Sequence, residues 1–330
     1  MKKLSTSVCF VLLALATTLS ASAQTIRRVN ASVTGTNIYA DFASAQTAAI
    51  AGDIIQIEPG AYGFDINLSK NLTVVGTGYF LGSTQNPNLQ ANSQSASVSV
   101  IYFSTGSAGA SVSGITASNV YFGANNVTLQ RCNITNGTFL NYFNAVINNI
   151  NIRQNYLNFI GHNQGNGATS LLITNNIILS YVNLNGNDQG EFRNNVLSET
   201  GTTADLYNCN VTNNYFGQSS STPGFTNCTV TFNAFRFASF PTTNNNQNNV
   251  DRTAVFTLAP GATRFDAWFQ LKAGTNVLRS TGENGVDIGV FSGNAPYKLG
   301  GLPAIPAIYQ LTNSVNGNIM NVNMSTRSNN

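Results

Sequence analysis

Charge is what this sequence lacks most. Asp, Glu, Lys and Arg make up 8% of its 330 residues, 15 basic against 12 acidic, with a single His and a single Trp. No Asp or Glu occurs between positions 66 and 187. Two of the basic residues, Lys2 and Lys3, precede an apolar run from Val8 to Leu19 and the small-residue site Ala21-Ser22-Ala23. That is the pattern of a secretory leader, residues 1–23, cut near Ala23. Cys9 lies inside the run and not at its end, which argues against a lipoprotein. Without Lys2 and Lys3, 13 basic residues face 12 acidic ones, and a net charge of 13 − 12 = +1 offers no footprint for nucleic acid. No later stretch approaches the ~20 apolar residues that span a bilayer. The expectation is an exported monomer, periplasmic or extracellular, with no transmembrane segment.

Cysteine is scarce as well. Cys132, Cys209 and Cys228 remain after cleavage, an odd number for an oxidising compartment. Asparagine, threonine, serine and glycine take the place of the missing charge. A polar, nearly uncharged surface suits hydroxyl-rich partners such as glycans, although tight turns alone also favour asparagine and glycine.

What is present is a repeat. Two alternating apolar positions precede an asparagine, and another apolar residue follows two places later: Ile150-x-Ile152-x-x-Asn155-x-Leu157, Leu171-x-Ile173-x-x-Asn176-x-Ile178, Gly190-x-Phe192-x-x-Asn195-x-Leu197, Cys209-x-Val211-x-x-Asn214-x-Phe216 and Cys228-x-Val230-x-x-Asn233-x-Phe235. An earlier copy, Val127-x-Leu129-x-x-Cys132-x-Ile134, has cysteine in the asparagine slot. The copies are separated by 23, 21, 19, 19 and 19 residues. Period-two alternation marks one face of a strand, and the asparagine interrupts it where the chain bends. A strand returning every ~20 residues leaves no room for a crossover helix of ordinary length, so the coils must stack as a parallel solenoid. Asn155, Asn176, Asn195, Asn214 and Asn233 then form a structural ladder, because asparagine tolerates left-handed backbone and satisfies buried amides.

The predicted fold is therefore all-β: a single-stranded parallel β-helix over residues 24–293. A short helix beginning at Asp41, with Phe42, Ala45 and Ala49 on one side, is expected to cap the first coil within about 38–52. Residues 81–97 and 241–251 read as loops. Residues 294–330, containing Pro296, Pro303 and Pro306, read as an extended tail with a terminal strand that shields the edge of the last coil.

The segments AIAGDIIQIEPGAY (49–62) and NLTVVGTG (71–78), with the ladder and GVDIGVFSG (285–293), resemble the cap, coils and closing turns of pectin-lyase-like right-handed β-helix proteins. The tail from PYKLGGLPAIPAIYQL to MSTRSNN is similar to the ending of secreted bacterial β-helix-repeat proteins. Many members of the superfamily degrade acidic polysaccharides, so the resemblance implies residues to look for. Polygalacturonases use clustered aspartates and a Gly-His-Gly segment, whereas this chain has Gly161-His162-Asn163 and no adjacent aspartates. Pectate lyases need calcium-binding acids near a base. The one mixed-charge group in the repeats is Asp188, Glu191 and Arg193, with Arg153 in the Arg193 column two coils away, ~10 Å distant.

Two functions follow as expectations. The first is a non-catalytic secreted β-helix that presents an Asn/Thr-rich face to polysaccharide or envelope glycans, with no cofactor and no metal. The second is a polysaccharide lyase or glycosidase using Glu191, Arg193, Arg153 and His162, with Ca2+ only under the lyase form. Cys209 and Cys228 fall on equivalent inward positions one coil apart, within disulfide reach, so they form either a disulfide or a buried thiol stack. Tyr102, Tyr121, Tyr142, Tyr156, Tyr181 and Tyr215 are expected as scattered outward aromatics.

Overall fold

The structure is a computed structural model that describes residues 24–329 except 83, 143–145, 164, 199–203, 219–221 and 259–264. The leader expected over residues 1–23 lies outside the described residues. The described chain coils into a parallel β-solenoid of about nine turns. One sheet stacks the strands that precede each corner, among them Val127–Gln130, Ile147–Arg153, Ala168–Thr174, Gly190–Arg193, Cys209–Thr212 and Thr229–Thr231. A second sheet stacks the strands that follow it, among them Asn133–Leu140, Tyr156–His162, Ile177–Ile178, Val196–Leu197, Tyr215–Phe216 and Ala234–Phe235.

The register matches the repeat residue for residue. Leu129, Ile152, Ile173, Phe192, Val211 and Val230 are successive parallel partners. Val127, Ile150, Leu171, Gly190 and Cys209 form the adjoining inward column. Gly190 interrupts its apolar column because a Cβ there would lie 2.1 Å from the Leu171 carbonyl oxygen.

Each ladder asparagine does the same work. Asn195 Oδ1 accepts from the Asn176 backbone amide at 2.9 Å and from Asn176 Nδ2 at 3.0 Å, while Asn195 Nδ2 donates to Ile173 O at 2.8 Å. The left-handed residue is not the ladder asparagine, as the sequence suggested, but the one before it: Arg131, Gln154, Asn175, Asn194, Asn213 and Phe232 all have φ between 53° and 58°. The division frees each ladder side chain to point inward between coils, where it is fully buried. Cys132 receives the last bond, its amide donating to Asn155 Oδ1 at 2.9 Å. A further rung, Asn246, lies in the stretch read as a loop and accepts from Asn233 N at 2.9 Å.

The cap is as expected: a helix over Phe42–Ala48 whose N-cap Asp41 accepts from Ser44 N at 2.7 Å, with Phe42 and Ala45 buried. The tail differs. Residues 307–327 form an antiparallel hairpin, Ala307–Asn316 with Ile319–Arg327, and its base bonds to Leu89 and Ala91 beside the early coils. The far end is closed instead by the 240–247 stretch. Phe240 stacks on Phe235 with centroids 3.6 Å apart, and Gln247 bridges to Ala234.

Between these ends the chain returns along the ladder corner as a strap, bonded to side chains of left-handed corner residues. Glu283 N donates to Asn213 Oδ1 at 2.8 Å, and Asn175 Nδ2 donates to Val290 O at 2.8 Å. Gln154 Nε2 donates to Pro296 O at 2.7 Å, and an Arg131 Nη1 donates to Leu302 O at 3.0 Å. Beneath the returning segments lies a second core in which Tyr156, Ile177, Val196, Tyr215 and Ala234, the outward residues after each ladder position, meet Val255, Phe256, Trp268, Leu278 and Ile288. Tyr156 and Tyr215 are thus buried, not surface aromatics.

Candidate functional site

The charged residues singled out from the sequence do not converge. Arg153, Thr174, Arg193, Thr212 and Thr231 do share one outward column. Arg193, however, is engaged by Glu283 at 2.6 Å and more loosely by Glu191 at 3.7 Å, and Arg153 Nε donates to Gln130 Oε1 at 2.9 Å. His162 sits elsewhere. Its Nε2 lies 2.5 Å from Asp188 Oδ2, and Asp188 also accepts from the amides of Ala168 and Asn185, each at 2.7 Å. Ala168 opens the strand that Thr174 closes, so six residues at ~3.3 Å each separate His162 from the arginine column by ~20 Å.

The His162 ring is spoken for on both sides. Nε2 lies against the Asp188 carboxylate and Nδ1 is 3.3 Å from the Asn185 side-chain nitrogen, so both ring nitrogens have protein partners. Asp188 is fully buried. The pair braces a turn. Among the described residues no group of three His, Cys, Asp or Glu side chains is placed to hold a metal ion.

Cys209 and Cys228 are free thiols stacked one coil apart, the Cys209 amide 3.5 Å from Cys228 Sγ. Burial pushes the Cys209 thiol up to about 12 and raises that of Cys228. Cys132 is buried and likewise pushed up to about 12. These are packing residues, with little thiolate available for nucleophilic work.

Four of the tyrosines expected to be scattered, Tyr102, Tyr121, Tyr142 and Tyr181, are instead contiguous. Tyr102 stacks on Tyr121 with centroids 5.2 Å apart and planes within 10°, and Tyr121 stacks on Phe139 at 4.9 Å and 10°. Phe139 meets Phe159 edge to face at 5.3 Å, and Phe159 stacks on Tyr181 at 4.5 Å and 10°. Tyr142 leans on both Tyr102 and Tyr121. The result is one outward column across five coils, each ring partly exposed. Strand register builds it: Tyr102, Tyr121 and Phe139 are direct partners, after which the column steps by two residues, Phe159 pairing with Gly137 and Phe139 with Gly161. Gly137 makes the step possible, since a Cβ there would lie 2.5 Å from the Phe139 ring and 2.6 Å from that of Phe159.

Phe139 and Phe159 escape a reading confined to tyrosines. The signal was available. The five rings fall 19, 18, 20 and 22 residues apart, the coil period itself. Uncharged amides adjoin the column, with Asn136 Nδ2 donating to Asn119 Oδ1 at 3.0 Å, and Asp65 acts electrostatically on Tyr102 at one end.

No protein-family model, curated protein or solved structure matches this chain.

Proposed function

We propose that this protein is an exported, non-catalytic β-helix that binds an uncharged glycan chain lying along the solenoid axis. The observation that carries the reading is the aromatic column from Tyr102 to Tyr181. Parallel coils repeat every ~4.8 Å, so the five rings form a hydrophobic track ~19 Å long. Each ring is partly exposed, and tyrosine keeps a polar tip in water beside an apolar body that suits the C–H faces of a sugar. Neighbouring asparagines supply both donors and acceptors for hydroxyls. Near-neutrality favours a neutral ligand over an acidic one.

Membership of the pectin-lyase-like superfamily and cleavage of a leader after Ala23 belong to the same reading. Both are supported by the cap and ladder residues and by the sequence pattern at the start of the chain. The lyase or glycosidase alternative draws no comparable support, because its residues stand apart and Arg193 and His162 are held by protein partners.

The test is a glycan array followed by calorimetry on the leaderless chain, in parallel with reducing-end and unsaturated-product assays with and without calcium. Binding to a neutral polysaccharide that weakens about tenfold in Tyr121→Ala, with no products formed, is the expected result. Product formation abolished in Glu191→Ala or Arg193→Ala overturns the reading.

A further inference from the structure

The hairpin over Ala307–Arg327 is two-faced. Cross-strand partners place Leu311 with Met324, Asn313 with Val322 and Val315 with Met320 on one side. Gln310 with Ser325, Thr312 with Asn323 and Ser314 with Asn321 occupy the other. A register shift between Ile308 and Gln310 pairs Ile308 with Thr326 and so keeps Ile308 on the apolar side. That side is bare: Leu311 is 54% exposed, Val315 72%, Met320 60%, Val322 54% and Met324 59%. A lone two-stranded hairpin is marginal in water, and this one has an apolar face that no other described residue covers over most of its length.

At its root the apolar face overhangs the early coils. Ile308 and Leu311 form one wall of a groove of about 660 Å3 whose other wall includes Gln56, Pro59, Gly76 and Thr77. A planar bilayer cannot follow the face into that groove; a slender element can.

From this we infer that the hairpin is a dimerisation arm whose apolar face is covered by the same face of a second copy, the two arms antiparallel about a two-fold axis near Asn313. In that arrangement each tip reaches the root groove of the other copy. Three observations select a second copy. An isologous contact brings a surface against itself, so any charge on it would be repelled, and residues 307–326 contain none. The groove side chains named above are uncharged too. The face, ~30 Å long and ~10 Å wide, would bury only ~600 Å2 in all when self-paired, below the ~1,200 Å2 of the smaller specific interfaces, and the groove walls supply the added contact that a self-paired arm needs. The association is therefore weak and concentration-dependent, in place of the monomer expected from the sequence.

Sedimentation velocity on the leaderless chain over a concentration series tests the arm. A monomer shifting to a dimer with concentration is expected, with Val315→Asp/Met320→Asp monomeric throughout and Ser314→Asp/Asn321→Asp, on the opposite face, still dimerising. Circular dichroism checks that each variant retains the solenoid. Asn313→Cys is expected to give a disulfide-linked dimer on mild oxidation, and Ser314→Cys is not. A chain monomeric at every concentration, a dimer indifferent to Val315→Asp/Met320→Asp, or a monomer that co-floats with phosphatidylcholine vesicles overturns the inference.

Discussion

Tyr121 and Phe139, one coil apart, stack with their ring planes within 10° and their centroids 4.9 Å apart. Because the contact lies outside the solenoid, it organises a surface more than it supports the core. Tyr121→Ala removes contacts with Tyr102, Phe139 and Tyr142, each worth about 0.5–1.5 kcal/mol, and should cost about 2 kcal/mol of stability. It should weaken binding of a neutral polysaccharide about tenfold, a loss of ~1.4 kcal/mol. Titration calorimetry alongside urea unfolding separates the two effects, and an unchanged affinity counts against the column as a ligand track.

The ladder predicts the opposite balance. Asn195→Ala leaves the buried Asn176 amide without its acceptor, at ~1–3 kcal/mol for each group stranded, so a loss of about 3 kcal/mol is expected. Asn210→Ala, on an exposed outward position of the neighbouring coil, should change stability by less than about 0.5 kcal/mol. Urea midpoints of the two variants make the comparison. Similar midpoints would mean that the ladder bonds carry no stability.

Two buried aspartates should give limbs of opposite sign, one below and one above the unfolded value of about 3.9. Burial of Asp53 works against its charge, but amide hydrogen bonds from Ile50 and Thr25 and the Arg27 guanidinium outweigh it and lower its pKa. Its contribution is therefore present above the unfolded value of about 3.9 and is lost as pH falls through the folded value. Asp266 is raised: burial dominates over hydrogen bonds from Asn86, Gly300 and Tyr297. Its contribution is full below about pH 3.9 and is lost as pH rises through the folded value. Unfolding midpoints from pH 3 upward should show a flatter acid limb in Asp53→Asn and a flatter limb above it in Asp266→Asn.

The thiols should be counted as three in the native, leaderless chain. Cys228, only partly buried, is expected to react first with a maleimide, and Cys132 and Cys209 only after unfolding. Intact-mass spectrometry reads the order. A native mass two protons lower, assigned to a Cys209–Cys228 disulfide, would contradict the thiol stack.

Much of the architecture was legible because it is local and periodic. Ile152, Asn155 and Leu157 recur with the coil, and each recurrence fixes side-chain direction through the two-residue period of a strand. The surface was less legible. Tyr156 and Tyr215 looked outward by that same alternation, and they are outward from their sheet, yet a second layer covers them. Adjacent apolar residues after each ladder asparagine, Tyr156-Leu157, Ile177-Ile178 and Val196-Leu197, recorded burial on both faces. Asn246 was hidden by a shorter interval, 13 residues after Asn233.

The sequence by itself determined the solenoid, its inward columns, its ladder and the helix that caps it, because each depends on contacts between neighbouring turns that repeat along the chain. Only the tertiary structure decided where the returning strap lies, which outward residues it buries, and that His162 and Arg193 stand apart. Those outcomes rest on pairings across 35 to 171 residues, for which a single sequence carries no periodic signal.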